Sequence, residues 1–207
     1  MCNEGELLEK FNIQLSPIPM TELIEEIKAV KEEKTKLNEM LDVIHETMEV
    51  QIKENEVENV AALAAAMKNL VEKYGCQAAA IQCWNALQTE IGIMPCAANA
   101  ILNEEGIPVV CETDIHGAVT ALLVEAAGMG EVRSFFADWT IRHPDLDNGE
   151  LLQHCGPWPV SVAAEKPKLT YPLAFDHPGS LTAEAKHGDV TLCRFDGDNG
   201  EYCWLLG

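Results

Sequence analysis

Between residues 58 and 128 the chain switches, with little slack, between apolar runs of strand length and alanine- or leucine-rich runs at helical spacing. Glu58 to Tyr74 reads as a helix ended by Gly75, Ala78 to Cys83 as a strand, and Pro95 to Glu104 as a helix. Ile107 to Glu112 then reads as a strand and Asp114 to Ala127 as a helix ended by Gly128. Strands separated by helices run parallel through right-handed crossovers. The expected class is therefore α/β, with a parallel-sheet α/β layer over about residues 1–130.

The flanks are read in the same way. Residues Lys10 to Pro17 alternate apolar and polar and are expected to form a short strand, and Thr21 is placed to cap the helix that follows. Lys31 to Glu58 carries apolar residues at Leu37, Leu41, Ile44, Met48 and Ile52, which fits amphipathic surface helices better than a coiled coil. After Gly130 helical periodicity gives way to short apolar runs broken by Pro, Gly, Asp and Asn. Residues 131–207 are accordingly expected to form a mainly antiparallel β domain, with strands at Val132 to Trp139, Leu151 to Cys155, Val190 to Phe195 and Tyr202 to Leu206. Asp196-Gly-Asp-Asn-Gly is a strong hairpin turn. The first strand lies close to one end and the last runs into the other, so a chain cut at both ends is expected.

Charge narrows the partners. With 14 basic and 34 acidic residues the chain carries a formal charge of -20, which repels nucleic acid and anionic membrane surfaces and suits a divalent cation. The eight cysteines include no CxxC pair, and several lie inside apolar runs, as buried free thiols of a cytoplasmic protein would. Met1-Cys-Asn-Glu-Gly-Glu is acidic where a secretion signal is basic, and no apolar run approaches the roughly 20 residues needed to span a bilayer.

Two acids stand at successive strand-to-helix turns: Glu90 in Gln88-Thr-Glu-Ile-Gly and Asp114 in Cys111-Glu-Thr-Asp-Ile-His-Gly. In parallel α/β sheets that edge gathers ligands, and two carboxylates there repel unless a cation lies between them. Oxygen ligands suit Mg²⁺ or Mn²⁺, and an added imidazole favours Mn²⁺. Asp114 reads equally as a helix N-cap and Glu90 equally as a surface acid. Of the six histidines, His154 follows an apolar strand and precedes a Gly/Pro turn, which places it at a strand end. Cys111 and Cys155 could be nucleophiles but read more simply as buried, and the tryptophans at 84, 139, 158 and 204 could stack on a sugar or only fill the core. No GxGxxG, P-loop, GxSxG or HExxH is present.

Taken in order, Gln88-Thr-Glu-Ile-Gly, Cys111-Glu-Thr-Asp-Ile-His-Gly-Ala-Val-Thr, Ala137-Asp-Trp and Leu152-Gln-His-Cys-Gly resemble the L-fucose isomerase family, which is related to L-arabinose isomerase. The 24-residue step from Glu90 to Asp114 is similar to the family's spacing of two metal-binding acids. The resemblance implies an aldose-ketose isomerase acting through a metal-stabilised enediol, with Glu90 and Asp114 as ligands of Mn²⁺ that also move protons. It implies His154 as third ligand with His177 as competitor, and Trp139, Gln153 and His177 as substrate contacts. It further implies a homo-oligomer and a longer protein, of which this chain lacks the N-terminal domain, so that the fragment by itself need not be active. The alternative is a non-catalytic sugar- or metal-binding module.

Overall fold

The computed structural model describes residues 2–172 and 176–207. Its helices are α1 (Glu4–Phe11), α2 (Met20–Glu33), α3 (Thr35–Thr47), α4 (Glu54–Tyr74), α5 (Ala86–Ile91), α6 (Cys96–Glu104) and α7 (Ile115–Ala127). Its strands are β1 (Glu49–Val50), β2 (Ala79–Ala80), β3 (Val109–Val110), β4 (Asp138–Arg142), β5 (Glu150–Gln153), β6 (Lys168–Thr170), β7 (Ser180–Thr182), β8 (Cys193–Asp198) and β9 (Glu201–Leu206). The class is α/β. Parallel pairing joins β2 to β3 and β1 to β6, while β4–β5, β6–β7 and β8–β9 are antiparallel.

Helix α4 organises the core. Its run of Ala61, Ala62, Ala64, Ala65 and Ala66 is buried together with Val57, Val60, Leu63, Met67 and Leu70. Small side chains on several faces let α2, α3 and α6 all approach its backbone, and each fully buried leucine there contributes about 1.5–3 kcal/mol of transfer free energy. Leu169 of β6, Leu181 of β7 and Trp158 join the same cluster. The sheet β1-β6-β7 thus draws on both the helical region and the strand-rich region of the chain.

Expected and observed elements differ most where strands are short. Lys10 to Pro17 is not a strand: α1 runs to Phe11, with Asn3 accepting from the Glu6 N–H at its start. Asn12 at φ 55° closes the helix by donating its N–H to the carbonyls of Leu7 and Leu8. Leu7 buried among Val119 and Phe195 outweighs the period-two pattern, which tertiary contact overrides. Helix α2 starts at Met20 after Pro19, with Thr21 inside its first turn rather than capping it. The first β segment past residue 130 pairs from Asp138 onward, not from Val132.

The second cluster docks the last hairpin. Strands β8 and β9 turn at Asn199 (φ 50°) and Gly200 (φ 81°), two positive-φ residues of the kind a tight hairpin turn needs. Phe195 lies between α1 and α7, and its N–H donates to Thr120 Oγ1. Beside it, Asp196 accepts from Gly197 N–H and meets His116 Nδ1 at 2.9 Å. Burial works to raise the Asp196 pKa, but the Gly197 N–H, His116 and Arg194 outweigh it and hold the carboxyl below its ordinary 3.8. A carboxylate lowered in the folded state stabilises above its unfolded value and loses that contribution as pH falls through the folded one. Loosening of the hairpin below about pH 4 is therefore expected, small because Asp196 is 53% exposed. Near-UV circular dichroism from Tyr202 and Trp204 checks this; an acid transition unchanged in Asp196→Asn would exclude Asp196 as its origin.

Among the described residues no helix is long and apolar enough to cross a membrane.

Candidate functional site

The site is built at the carboxyl ends of β2 and β3. These strands pair Ala79 with Val109 and Ala80 with Val110, and the ladder continues as Ile81 N–H donates to Val110 O and Thr113 N–H to Ile81 O. Immediately beyond β3, Glu112 (φ 62°) and Thr113 (φ 56°) are both left-handed. Consecutive left-handed non-glycine residues cost about 1–3 kcal/mol each and persist where the surroundings hold them. Here the Thr113 N–H bond to Ile81 holds the turn, and it delivers Asp114 to the start of α7.

Asp114 is the N-cap of α7: its Oδ1 accepts the Gly117 N–H at 2.9 Å. It is also gripped by Arg194 of β8, through Nη1 on Oδ2 and Nη2 on Oδ1. Arg194 reaches Asp196 as well, which meets His116, so acids and bases alternate from Asp114 to His116. Gly117 leaves the Asp114 carboxylate its room, since a Cβ there would lie 2.5 Å from Oδ2 and 2.9 Å from Phe136.

Phe136, which lies against Gly117, packs on His154 with ring centroids 5.3 Å apart. The His154 side chain is 5% exposed, with Nε2 3.8 Å from Asp138 Oδ2 and Nδ1 3.6 Å from Cys155 Sγ. Burial opposes its protonation, but the Cys155 sulfur, Asp138 and Glu112 outweigh burial and raise its pKa. Cys155 is pulled down to about 5, first by the Cys96 thiol hydrogen bond and, against burial, by His154. His154 Nδ1 accepts the Cys155 N–H at 2.9 Å, which leaves Nε2 to carry the proton and suits it as a donor to a developing oxyanion.

Of the other expected residues, Glu90 and His177 line separate clefts, while Trp139 and Gln153 flank Asp138 and His154 on the β4–β5 hairpin. Glu90 is exposed on α5 and lines a cleft of about 380 Å³ with Ile24, Lys28, Lys31 and Asn59. His177 lines a different cleft, of about 240 Å³, with Trp84, Asn85, Gln88, Thr89 and Met94. The Gln88 side-chain oxygen is buried and finds no partner among the described residues. Trp139 and Gln153 are exposed on the β4–β5 hairpin, Gln153 paired across from Asp138.

Sequence reasoning brought Glu90 and Asp114 to one edge, where the structure keeps Asp114 and sets Glu90 in a separate cleft, and it missed Glu112, Asp138 and Arg194. Glu112 stands in the quoted Cys-Glu-Thr-Asp run, but nothing local marks its left-handed backbone; Arg194 is 80 residues from Asp114 and reaches it only through hairpin docking. Among the described residues no three His, Cys, Asp or Glu side chains gather as ligands of one metal ion. Asp114 is engaged by Arg194 and Glu90 lines another cleft, so the expected Mn²⁺ ligands Glu90, Asp114 and His154 do not converge in this arrangement.

An α/β chain with an acid, a raised-pKa histidine and a strained turn at its strand ends has the layout of a small-molecule site. Comparison with known proteins carries this further. The chain is 26% identical over 192 residues to the sulfoquinovose isomerase of Alkalicoccus urumqiensis, covering 92% of this chain and 43% of that protein. It is 24% identical over 199 residues to the sulfoquinovose isomerase of Priestia megaterium, covering 93% and 43% respectively. A third sulfoquinovose isomerase, from Clostridium sp., is 26% identical over 163 residues. These relatives are sugar isomerases, and the chain spans less than half the length of the first two. No family model matches.

Proposed function

We propose that this chain is part of an aldose-ketose sugar isomerase, with a sugar as its small-molecule substrate. The observation that carries the reading is the similarity to sulfoquinovose isomerases along nearly the whole chain, the region holding Asp114 and His154 included. Sulfoquinovose is the first substrate to assay and L-fucose the second. Isomerisation moves a proton between adjacent carbons, which needs a base, and builds charge on an oxygen, which needs a donor. Asp114 is proposed as the base and His154 as the donor. Glu90 is proposed as a second proton-moving acid, although it lines a separate cleft, and Trp139, Gln153 and His177 as substrate contacts.

Mn²⁺ or another divalent cation belongs to the proposal through Glu90, Asp114 and His154, with the chain's acidic balance in its favour. Its binding requires Asp114 to leave Arg194, and no chemical step here depends on it. Assembly into a homo-oligomer in the cytoplasm is proposed too, supported by the apolar face of the β4–β5 hairpin, where Trp139 and Ile141 are each 62% exposed. The alternative, a non-catalytic sugar-binding module, shares this surface and these clefts.

The test is NMR of sulfoquinovose, and separately of L-fucose, incubated with a full-length protein carrying this chain, with and without Mn²⁺. Appearance of the ketose supports the isomerase. Sugar binding with no ketose in either condition supports the binding module, and neither binding nor conversion overturns both.

A further inference from the structure

Cys96 opens α6 and is fully buried, and Cys155 lies on the loop after β5, half-buried; their sulfurs are 3.4 Å apart. The contact is built into the fold rather than left to side-chain chance. Gly156 passes so close to α6 that a Cβ on it would lie 2.5 Å from the Cys96 Cβ and 3.0 Å from the Cys96 carbonyl carbon. On the other side the Cys155 carbonyl accepts from Ser180 Oγ and from Leu181 N–H, and Trp158 Nε1 donates to His154 O. With both backbones held, a disulfide of about 2.05 Å needs only some 1.4 Å of sulfur approach.

We propose that Cys96 and Cys155 form a redox-active dithiol that a hydroperoxide converts to a disulfide. The Cys155 thiolate, the more accessible of the two sulfurs, attacks the terminal hydroxyl oxygen of the hydroperoxide; the O–O bond breaks, the leaving oxygen takes up the proton the Cys155 thiol gave up on ionising, and Cys155 becomes a sulfenic acid. The Cys96 sulfur then attacks Cys155, the S–O bond breaks, and the hydroxyl leaves as water with the Cys96 proton. Two thiols lose two protons and two electrons in all, and the peroxide is reduced to an alcohol and water, or to two waters when it is hydrogen peroxide. The crosslink ties the loop that carries His154 to the start of α6. Cys83 and Cys111 also share a thiol hydrogen bond but are 4% and 0% exposed, which leaves them out of reach of the oxidant.

The test treats the folded chain with one equivalent of hydrogen peroxide, then denatures it, alkylates it and maps the peptides by mass spectrometry without reductant. The expected result is two fewer alkylatable thiols, a single linked peptide pair joining Cys96 to Cys155, and full recovery with dithiothreitol. The Cys96→Ala variant is expected to trap the Cys155 sulfenic acid as a dimedone adduct, and Cys155→Ala to give neither adduct nor link. Retention of all eight thiols, a link between other cysteines, or sulfinic acid at Cys155 without a disulfide overturns the proposal. Because the readout is mass and not turnover, its outcome stands apart from that of the isomerase reading.

Discussion

Replacing Asp114 with asparagine is expected to lower kcat/KM for sugar isomerisation by at least about 100-fold while leaving the fold in place. The two effects separate because Asp114 has two jobs. As N-cap it needs only a side-chain oxygen for the Gly117 N–H, and asparagine caps about as well as aspartate. As the proposed base it needs a charge that can take a proton, which asparagine lacks. Losing the Arg194 partner costs about 1 kcal/mol or less, since the two side chains are 35% and 23% exposed. Alanine at the same position removes the cap as well and adds about 1 kcal/mol more. Thermal melting beside steady-state kinetics decides the matter: a variant that melts normally and turns over normally would remove Asp114 from the chemistry, and one that fails to fold would make its role structural.

Gly179→Ala is expected to destabilise the chain by about 3 kcal/mol or more, without altering the proposed base Asp114 or donor His154. Gly179 sits at φ +113°, and a Cβ would lie 2.4 Å from Met94 O and 3.2 Å from Met94 N, both backbone atoms that cannot rotate away. Nor can the segment shift. Gly179 donates to Thr170 O and accepts from Ala97 N–H, and the Pro178 carbonyl accepts from Met94 N–H at 2.7 Å, so relief of the clash breaks the bonds that clamp β6–β7 to the start of α6. Gly75 is the control. It too has a positive φ, of 63°, but a Cβ there meets nothing within 4 Å, so Gly75→Ala is expected to cost only about 1 kcal/mol. Urea denaturation of both variants checks the contrast, and equal losses would show that φ alone, not the Met94 contact, sets the cost.

The candidate site was half legible in the sequence, and the halves differ in range. Asp114 could be read as an acid opening a helix after a strand because a cap is a relation within four residues, and Gly117 N–H bears it out. The Asn199-Gly200 turn was legible for the same reason: two adjacent residues carry the whole positive-φ requirement. The strands were legible as apolar runs but not in their extent, because pairing needs a partner. Ile107 to Glu112 contributes only Val109 and Val110 to a ladder.

By itself, then, the sequence determined the α/β alternation, the helix α7 with its cap, the hairpin turn and the formal charge of -20, all properties that reside in neighbours or in sums of charge. Tertiary structure decided the rest. It turned Lys10 and Phe11 into the end of a helix by burying Leu7 against Val119, and it separated Glu90 from Asp114 by facing α5 toward α2. It also set Arg194 on Asp114 and Cys155 on Cys96 across 80 and 59 residues. Such contacts are made between surfaces that a linear pattern can mark as apolar or charged but cannot pair, because which surface meets which depends on the packing of every element between them.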